Sequence, residues 1–167
     1  MNTTLTGPPR VAHEHHERIL RHVDRLPRIA DLVDKGFSDE LKSSVEETAD
    51  FLNELLLPHM AAAERAFYPE LERQFQNRHS MTPMRHEHER IRAAITEVTE
   101  LRRVLRDGHF GTGEAVRLRR ALLGLYALVK VHLAEELLYA RLVERRATLE
   151  DEHALADAMA HSGTVRF

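Results

Sequence analysis

Four of the twelve histidines in this 167-residue chain occupy positions where an amphipathic helix would carry an apolar side chain. Each interrupts a hydrophobic series whose members are spaced alternately three and four residues apart; they are His16, His59, His88 and His132. An ionisable side chain on such a face must be hydrogen-bonded, shifted in pKa or bound to a metal, because burying it unpaired is costly. Their placement therefore predicts metal or proton chemistry between helices.

Two glutamates accompany these histidines. Glu136 follows His132 by four residues, so both point to the same side of a helix. Glu64 follows His59 by five residues, about 140° further round an ideal helix, and a kink at Pro58 would bring the two faces together. Imidazoles and carboxylates from facing helices are how four-helix bundles bind two iron or manganese ions. The residues therefore favour a dinuclear metal site.

The composition excludes several other kinds of site. Because the chain has no cysteine, it has no disulfides, thiolate zinc sites, cysteine-bound iron–sulfur clusters or thiol nucleophiles. The formal charge of -3 at pH 7 predicts no nucleic-acid partner. The N-terminal residues lack an apolar leader, and no stretch approaches the roughly 20 apolar residues of a membrane span. We therefore expect a cytoplasmic protein with no membrane partner.

The first half of the chain predicts two long helices. One runs from residue 10 to residue 34, is kinked at Pro27 and ends at Gly36. The next begins after Ser38, whose side chain is predicted to cap it, and continues towards Phe75 with an interruption at Pro58.

The second half predicts two more. The third helix has Thr82 as N-cap and Pro83 as first residue, and stops at Asp107 and Gly108. After a linker over residues 108–113, the fourth helix continues to about Thr148. The predicted domain thus covers residues 10–148, between a disordered N-terminal arm (1–9) and a C-terminal tail (149–167) with a short helix near residues 154–160.

Four amphipathic helices joined by short links predict an all-α, up-down-up-down antiparallel four-helix bundle. The two halves also resemble one another. The sequence His-Glu-Arg-Ile occurs at residues 16–19 and again at 88–91, an offset of 72 that also relates Glu64 to Glu136. The offset from His59 to His132 is 73. This weak internal duplication places ligand-type residues at related points of both halves.

Together these segments resemble the hemerythrin-like, or HHE cation-binding, domains. The resemblance covers residues 10–146 and rests on four runs: HHERILRHVDRLPRIAD, LLLPHMAAAERAFYPEL, HEHERIR and YALVKVHLAEELLYARL. It implies a non-haem centre of two iron ions, with manganese or zinc as alternatives, held by histidines from all four helices and carboxylates from the second and fourth. By motif, the implied metal ligands are His16, His59, Glu64, His88, His132 and Glu136.

The chain departs from the family pattern at several positions. Members often carry glutamates four and five residues after the second-helix histidine, whereas Ala63 occupies the first of those positions here. The respiratory members have a second histidine in the third helix, where Met84 and Arg92 stand in this chain. These departures leave open a mononuclear or differently loaded site.

Neighbouring residues are further candidates as substitute ligands or as partners of the ligands: His15, His86 and Glu135. The other histidines are predicted to lie on the surface: His13, His22, His79, His109, His153 and His161. Plain packing is predicted for the tyrosines: Tyr68, Tyr126 and Tyr139.

The resemblance implies binding of, or reaction with, a small diatomic or peroxo ligand, namely O2, NO or peroxide, in oxygen, iron or redox-stress handling or sensing. One alternative is a catalase-like or peroxidase-like dinuclear enzyme, whose proton donor would come from Tyr68, Tyr139, Glu135 or His15. Another is a metal-free bundle that serves as an interaction module. We expect a monomer or a weak homo-oligomer.

Overall fold

The computed structural model describes residues 8–144, with side chains from residue 15 to residue 142. This part of the chain folds into seven α-helices and two π-helical segments. In chain order they are α1 (Pro8–Val23), α2 (Leu26–Asp34), α3 (Asp39–Phe51), π1 (Leu52–Leu56), α4 (Leu57–Ala62), π2 (Ala63–Phe67), α5 (Tyr68–Gln74), α6 (Thr82–Arg106) and α7 (Thr112–Glu144). The first long helix consists of α1 and α2, the second runs from α3 to α5, and α6 and α7 are the third and fourth.

The long helices pack as an up-down-up-down bundle, which confirms the predicted fold. α1 and α2 pack against α7, α2 against α3, α3 against α6, and α6 against α7. The buried side chains of α6 follow the three-and-four spacing that predicted an inward-facing His88: Met84, His88, Ile91, Ile95, Val98, Leu101 and Leu105. None of the helices between residues 8 and 144 has the length and apolar character needed to cross a lipid bilayer.

Proline, glycine and serine shape the first two helices as predicted. α1 ends at Val23 and α2 begins at Leu26, which puts Pro27 in the first turn of α2, where its missing N–H leaves no gap in the hydrogen bonding. Gly36, with φ of +90°, follows α2 in the left-handed region that glycine tolerates best. The backbone N–H of Leu41 donates to the Ser38 hydroxyl at 3.1 Å, forming the predicted N-cap.

The start of the third helix differs from the prediction. α6 includes Thr82 as its first residue, and Met81 occupies the N-cap position without a side-chain hydrogen bond. Met81 is fully buried, so apolar packing rather than a hydroxyl cap anchors this end. Gly108, with φ of +75°, marks the predicted stop of α6. α7 begins at Thr112, inside the predicted linker.

The predicted C-terminal limit of the domain, residue 148, lies outside the described residues. Residues 8 and 9, assigned to the N-terminal arm, already belong to α1. The rest of that arm and the C-terminal tail, with its predicted short helix at 154–160, lie outside the described residues.

The second long helix leaves α-geometry twice, each time just before a proline. π1 ends two residues before Pro58, and π2 ends two residues before Pro69. A proline lacks an N–H and its ring clashes with the carbonyl four residues earlier, so the preceding turn must reorganise. A π-turn takes up one extra residue and rotates everything after it relative to the helix before it. The interruption at Pro58 was predicted; the one before Pro69 was not.

Two apolar clusters lie on either side of a polar layer. The larger cluster fills most of the bundle and contains Leu56 and Ile91. The smaller one contains Ala63 and Met84. Between them the bundle buries five polar residues: His16, His59, His88, His132 and Glu136. The apolar side chains on both sides hold water away from this layer.

Candidate metal centre

Glu136 lies at the middle of the buried polar layer, with its side chain only 1% exposed. Its Oε2 atom lies 3.2 Å from Nε2 of His16 and 3.3 Å from Nε2 of His59. Its Oε1 atom lies 3.5 Å from Nε2 of His132, which is itself 2.9 Å from Nε2 of His88. Each carboxylate oxygen therefore faces a different pair of imidazoles.

These side chains form two groups that could each hold one metal ion. The His16 group comprises His16, His59 and Glu136, and the His88 group comprises His88, His132 and Glu136. In each group the three candidate ligand atoms lie within 4.8 Å of one another. Because Glu136 belongs to both, it has the position of a carboxylate that bridges two ions. The groups draw on all four long helices, through α1, α4, α6 and α7.

Tyr68 places its hydroxyl among the ligand atoms of the His88 group. The hydroxyl donates to Oε1 of Glu136 at 2.7 Å and lies 3.0 Å from Nε2 of His88 and 3.4 Å from Nε2 of His132. The sequence predicted packing for Tyr68, which was also a candidate proton donor in the enzyme alternative. On an ideal helix Tyr68, nine residues after His59, would point about 180° away from that histidine. The extra residue of π2 changes that register, and Pro69 was the sequence signal for it.

Glu64, a predicted ligand, lies outside both groups. Its Oε1 atom lies 2.7 Å from Nδ1 of His88 and 2.8 Å from the Arg92 guanidinium, and its side chain is 29% exposed. Glu64 therefore contacts the outward-facing nitrogen of His88 and does not lie beside the other candidate ligand atoms. The physical reason is the five-residue spacing from His59, since Ala63 occupies the position one turn after that histidine.

A second carboxylate, that of Glu87, contacts His132 in the way that Glu64 contacts His88. Oε2 of Glu87 lies 2.9 Å from Nδ1 of His132. The sequence analysis had not selected Glu87, although a carboxylate partner for a ligating imidazole is the usual arrangement and Glu87 directly precedes His88. When Glu64 and Glu87 accept from Nδ1–H, the Nε2 atom of each imidazole keeps its lone pair for the other ligand atoms of the His88 group.

Comparison with known proteins identifies the family to which this geometry belongs. The family model of the hemerythrin HHE cation-binding domain matches residues 8–136, a span that includes every residue of both groups. The chain belongs to this family. No curated protein and no solved structure gives a significant match. The resemblance inferred from the motifs is confirmed, and the protein is a metal-binding helical bundle of the HHE type.

The charges at the centre of this HHE domain suit a bound cation. Burial alone would raise the pKa of Glu136, but the neighbouring imidazoles of His59, His132 and His16 hold it well below its usual value, so it is a carboxylate. Burial, and then the charge of His132, lower the pKa of His88 to about 4. The centre therefore combines a buried negative charge with the neutral imidazoles of His59 and His88, whereas hydrogen bonds to Glu136 and Glu87 raise the pKa of His132 against the effect of its burial. A metal ion would replace the proton that His132 attracts and would neutralise the carboxylate.

The ring nitrogens of the buried histidines also indicate a cation site. The side chain of His59 is 1% exposed, yet its Nδ1 atom has no hydrogen-bond partner within the described part of the chain, and its Nε2 atom lies 3.3 Å from Oε2 of Glu136 without the geometry of a hydrogen bond. Burial lowers its pKa, which leaves a neutral ring with a lone pair. The close approach of Nε2 of His88 to Nε2 of His132 needs a proton between two lone pairs, a place that a cation can take. The residues present therefore fit a metal centre.

The further candidates lie at different distances from this centre. The His15 ring is 5.0 Å from that of His59, and burial, followed by the charges of His59 and His16, lowers its pKa to about 4. Glu135 is half-buried, and burial together with the charge of Glu87 raises its pKa. His86 is exposed. Neither His15, His86 nor Glu135 belongs to the two groups found among the described residues.

The remaining histidines lie away from the centre where they can be described. His79 and His109 are exposed, as predicted. His22 is half-buried rather than on the open surface, because its ring stacks on Phe51 with centroids 4.6 Å apart. The other three predicted surface histidines, His13, His153 and His161, lie outside the described side chains.

Proposed function

We propose that this HHE domain holds two iron ions in a carboxylate-bridged centre and uses them to bind or react with O2, NO or peroxide. The observation that carries the proposal is the position of Glu136, whose two oxygens face two different pairs of imidazoles. One ion would be held by His16, His59 and Oε2 of Glu136. The other would be held by His88, His132 and Oε1 of Glu136.

The donor chemistry supports iron. Imidazole nitrogens and carboxylate oxygens suit iron, manganese and zinc, and the absence of cysteine removes the soft ligands that favour other centres. Iron is preferred because the HHE resemblance implies it. When bound, a pair of iron ions would supply the electrons for reversible binding or reduction of a small ligand.

The chain itself would control protons and water at this centre. Burial, and then the charge of Glu136, raise the pKa of Tyr68, so its phenol keeps its proton at neutral pH and donates it to Oε1 of Glu136 at 2.7 Å. A proton is thereby held at the His88 group, within reach of a small ligand. The two apolar clusters exclude bulk water, which would otherwise compete for the metal and for the proton.

Iron analysis of the full chain tests this proposal. We expect two iron ions per chain after anaerobic loading, and a charge-transfer absorption band after exposure to air. Glu136→Ala should lose both, whereas Glu89→Ala, at an exposed position of α6, should keep them. Retention of fewer than about one iron per two chains by the wild type, without the band, would overturn the proposal.

Thermal unfolding separates this proposal from a metal-free bundle. A ligand bound only to the folded state at about 100 times its Kd adds about 2.7 kcal/mol. Chelation should therefore lower the Tm of the loaded protein by roughly 5–10 °C for each ion lost. A Tm that is the same with and without chelator would favour the interaction-module alternative.

A second candidate function, decomposition of peroxide, is favoured by the position of Tyr68. A neutral phenol beside the ligand atoms is suited to act as a general acid when an O–O bond is cleaved. An oxygen electrode should record O2 release from peroxide by loaded protein above that of an equal concentration of free iron. Tyr68→Phe should lose most of this release. Turnover no faster than free iron would exclude the enzyme and leave the binding proposal standing.

A further inference from the structure

Each histidine of the His88 group has a carboxylate next to Nδ1, the ring nitrogen that faces away from the candidate metal position. Nδ1 of His88 lies 2.7 Å from Glu64, and Nδ1 of His132 lies 2.9 Å from Glu87. A carboxylate at this position keeps the proton on Nδ1, fixes the orientation of the ring and makes Nε2 a stronger donor. Both rings are fully buried, whereas the two carboxylates are partly exposed, at 29% for Glu64 and 23% for Glu87.

His59, in the His16 group, has no such support. Its Nδ1 atom is buried and has no hydrogen-bond partner among the residues that the structure describes. The ring packs instead against other imidazoles, with centroid distances of 5.0 Å to His15 and 5.2 Å to His16. His16 is also the most accessible of the four histidines, at 9% exposure. This group therefore has a ligand whose tautomer and orientation are less constrained.

The His88 group also has a neighbouring hydroxyl oxygen, which belongs to Tyr68. The Tyr68 hydroxyl lies within 3.4 Å of all three of its ligand atoms. The two groups share the charge of Glu136, which turns one oxygen towards each of them. The difference between the groups lies in the residues around the histidines.

We propose that Glu64 and Glu87 are positioning residues that make the His88 group the tighter metal site, so that the two groups fill in a fixed order. The inference rests on the proposed function and specifies how that centre is loaded. Loss of an outer partner of this kind weakens metal binding by about 10- to 100-fold. The two binding steps should therefore differ by about 10-fold or more, and protein with one equivalent of metal carries it in the His88 group.

Anaerobic titration of the metal-free full chain with Co2+, followed by its visible absorption, tests the order. We expect two steps, of which His88→Ala removes the tighter and His16→Ala the weaker. Two equal steps, or a tight step that survives in His88→Ala, would overturn the inference and leave a two-ion centre intact. Failure of both Co2+ and Fe2+ to bind would overturn the proposed function itself.

Variants of Glu87 test the positioning role directly. Glu87→Leu should weaken the tight step by about 10- to 100-fold and leave the weaker step unchanged. Glu87→Gln, whose amide oxygen still accepts from Nδ1–H, should lose less, and Glu89→Leu on the exposed side of α6 should lose nothing. The Tm of each metal-free variant provides the control for folding. A Tm change with an unaltered ratio of the two steps would mean a structural role only and would contradict the proposal.

Discussion

The two halves of the chain carry the same types of ligand but use them differently. In the second half, His132 and Glu136 are four residues apart on the uninterrupted helix α7, and both face the centre. In the first half, His59 and Glu64 are five residues apart, with π2 beginning between them, and only His59 faces the centre. Positions related by the internal duplication are therefore not equivalent in the folded protein.

The difference shows how strongly one residue of spacing affects a helical site. A single extra residue rotates a side chain by about 100° around the helix. The place one turn after His59 is taken by Ala63, which is fully buried in the smaller apolar cluster. The first half contributes a Tyr68 hydroxyl to the centre instead of a second carboxylate. Two similar sets of ligand-type residues therefore form an asymmetric centre with one shared carboxylate.

Replacing the two related glutamates should give the largest effect. Glu136→Gln removes the charge that both groups share, so we expect loss of both ions. Glu64→Gln should retain two ions and lower only the affinity of the His88 group, by about 10-fold or less, because its amide oxygen still accepts from His88. Iron content after desalting measures both. Greater iron loss from Glu64→Gln than from Glu136→Gln would contradict the assignment of Glu136 as the shared ligand and of Glu64 as a partner of His88.

Tyr68→Phe tests the oxygen that the first half supplies. The variant removes a hydrogen bond to a buried carboxylate, and such bonds contribute about 1.5–3 kcal/mol. We expect the metal-free protein to be destabilised by that amount in urea-induced unfolding. Tyr126→Phe, on α7 and only half-buried, is the matched control and should change little. Equal stability of Tyr68→Phe and wild type would show that the hydroxyl contributes nothing to the folded state.

Acid titration compares one histidine from each half. The pKa values of His15 and His88 are lowered from 6.5 to about 4, so the unfolded chain binds more protons between these values. The contribution of these histidines to the stability of the metal-free protein is complete above about pH 6.5 and declines as the pH falls towards 4. Urea-induced unfolding at several pH values should show a shallower decline for His15→Gln than for wild type or His79→Gln. Identical declines would contradict this assignment.

The smallest effect on stability and metal affinity is expected from replacing Arg92, which pairs with Glu64. The ion pair of Arg92 and Glu64 is partly exposed, at 38% and 29%, and such pairs contribute about 0.2–1 kcal/mol. Arg92→Ala should lower stability by no more than this, and should weaken the tight Co2+ step less than Glu87→Leu does. A larger loss of affinity in Arg92→Ala would mean that Glu64 depends on Arg92 to hold its place against His88.

Much of the fold and part of the centre could be predicted because they depend on local pattern. The buried face of α6 and the Ser38 cap follow from spacing and residue type within a single helix. The inward orientation of the four histidines follows from the same spacing. The sequence did not specify the contacts of Glu64, Glu87 and Tyr68, because these contacts depend on the irregular turn before Pro69 and on the packing of different helices.

The sequence by itself determined the helices, the all-α bundle, the family and the residues that face inward, since each of these follows from periodicity, helix-terminating residues and motifs within short stretches of chain. Only the tertiary structure decided which atoms meet: that Glu136 faces two pairs of imidazoles, that the Tyr68 hydroxyl reaches the same carboxylate, and that carboxylates contact Nδ1 of both His88 and His132, whereas Nδ1 of His59 has no partner among the described residues. The physical reason is that these contacts join different long helices. Their distances depend on how the helices pack and on where a proline alters the register, which no local pattern specifies.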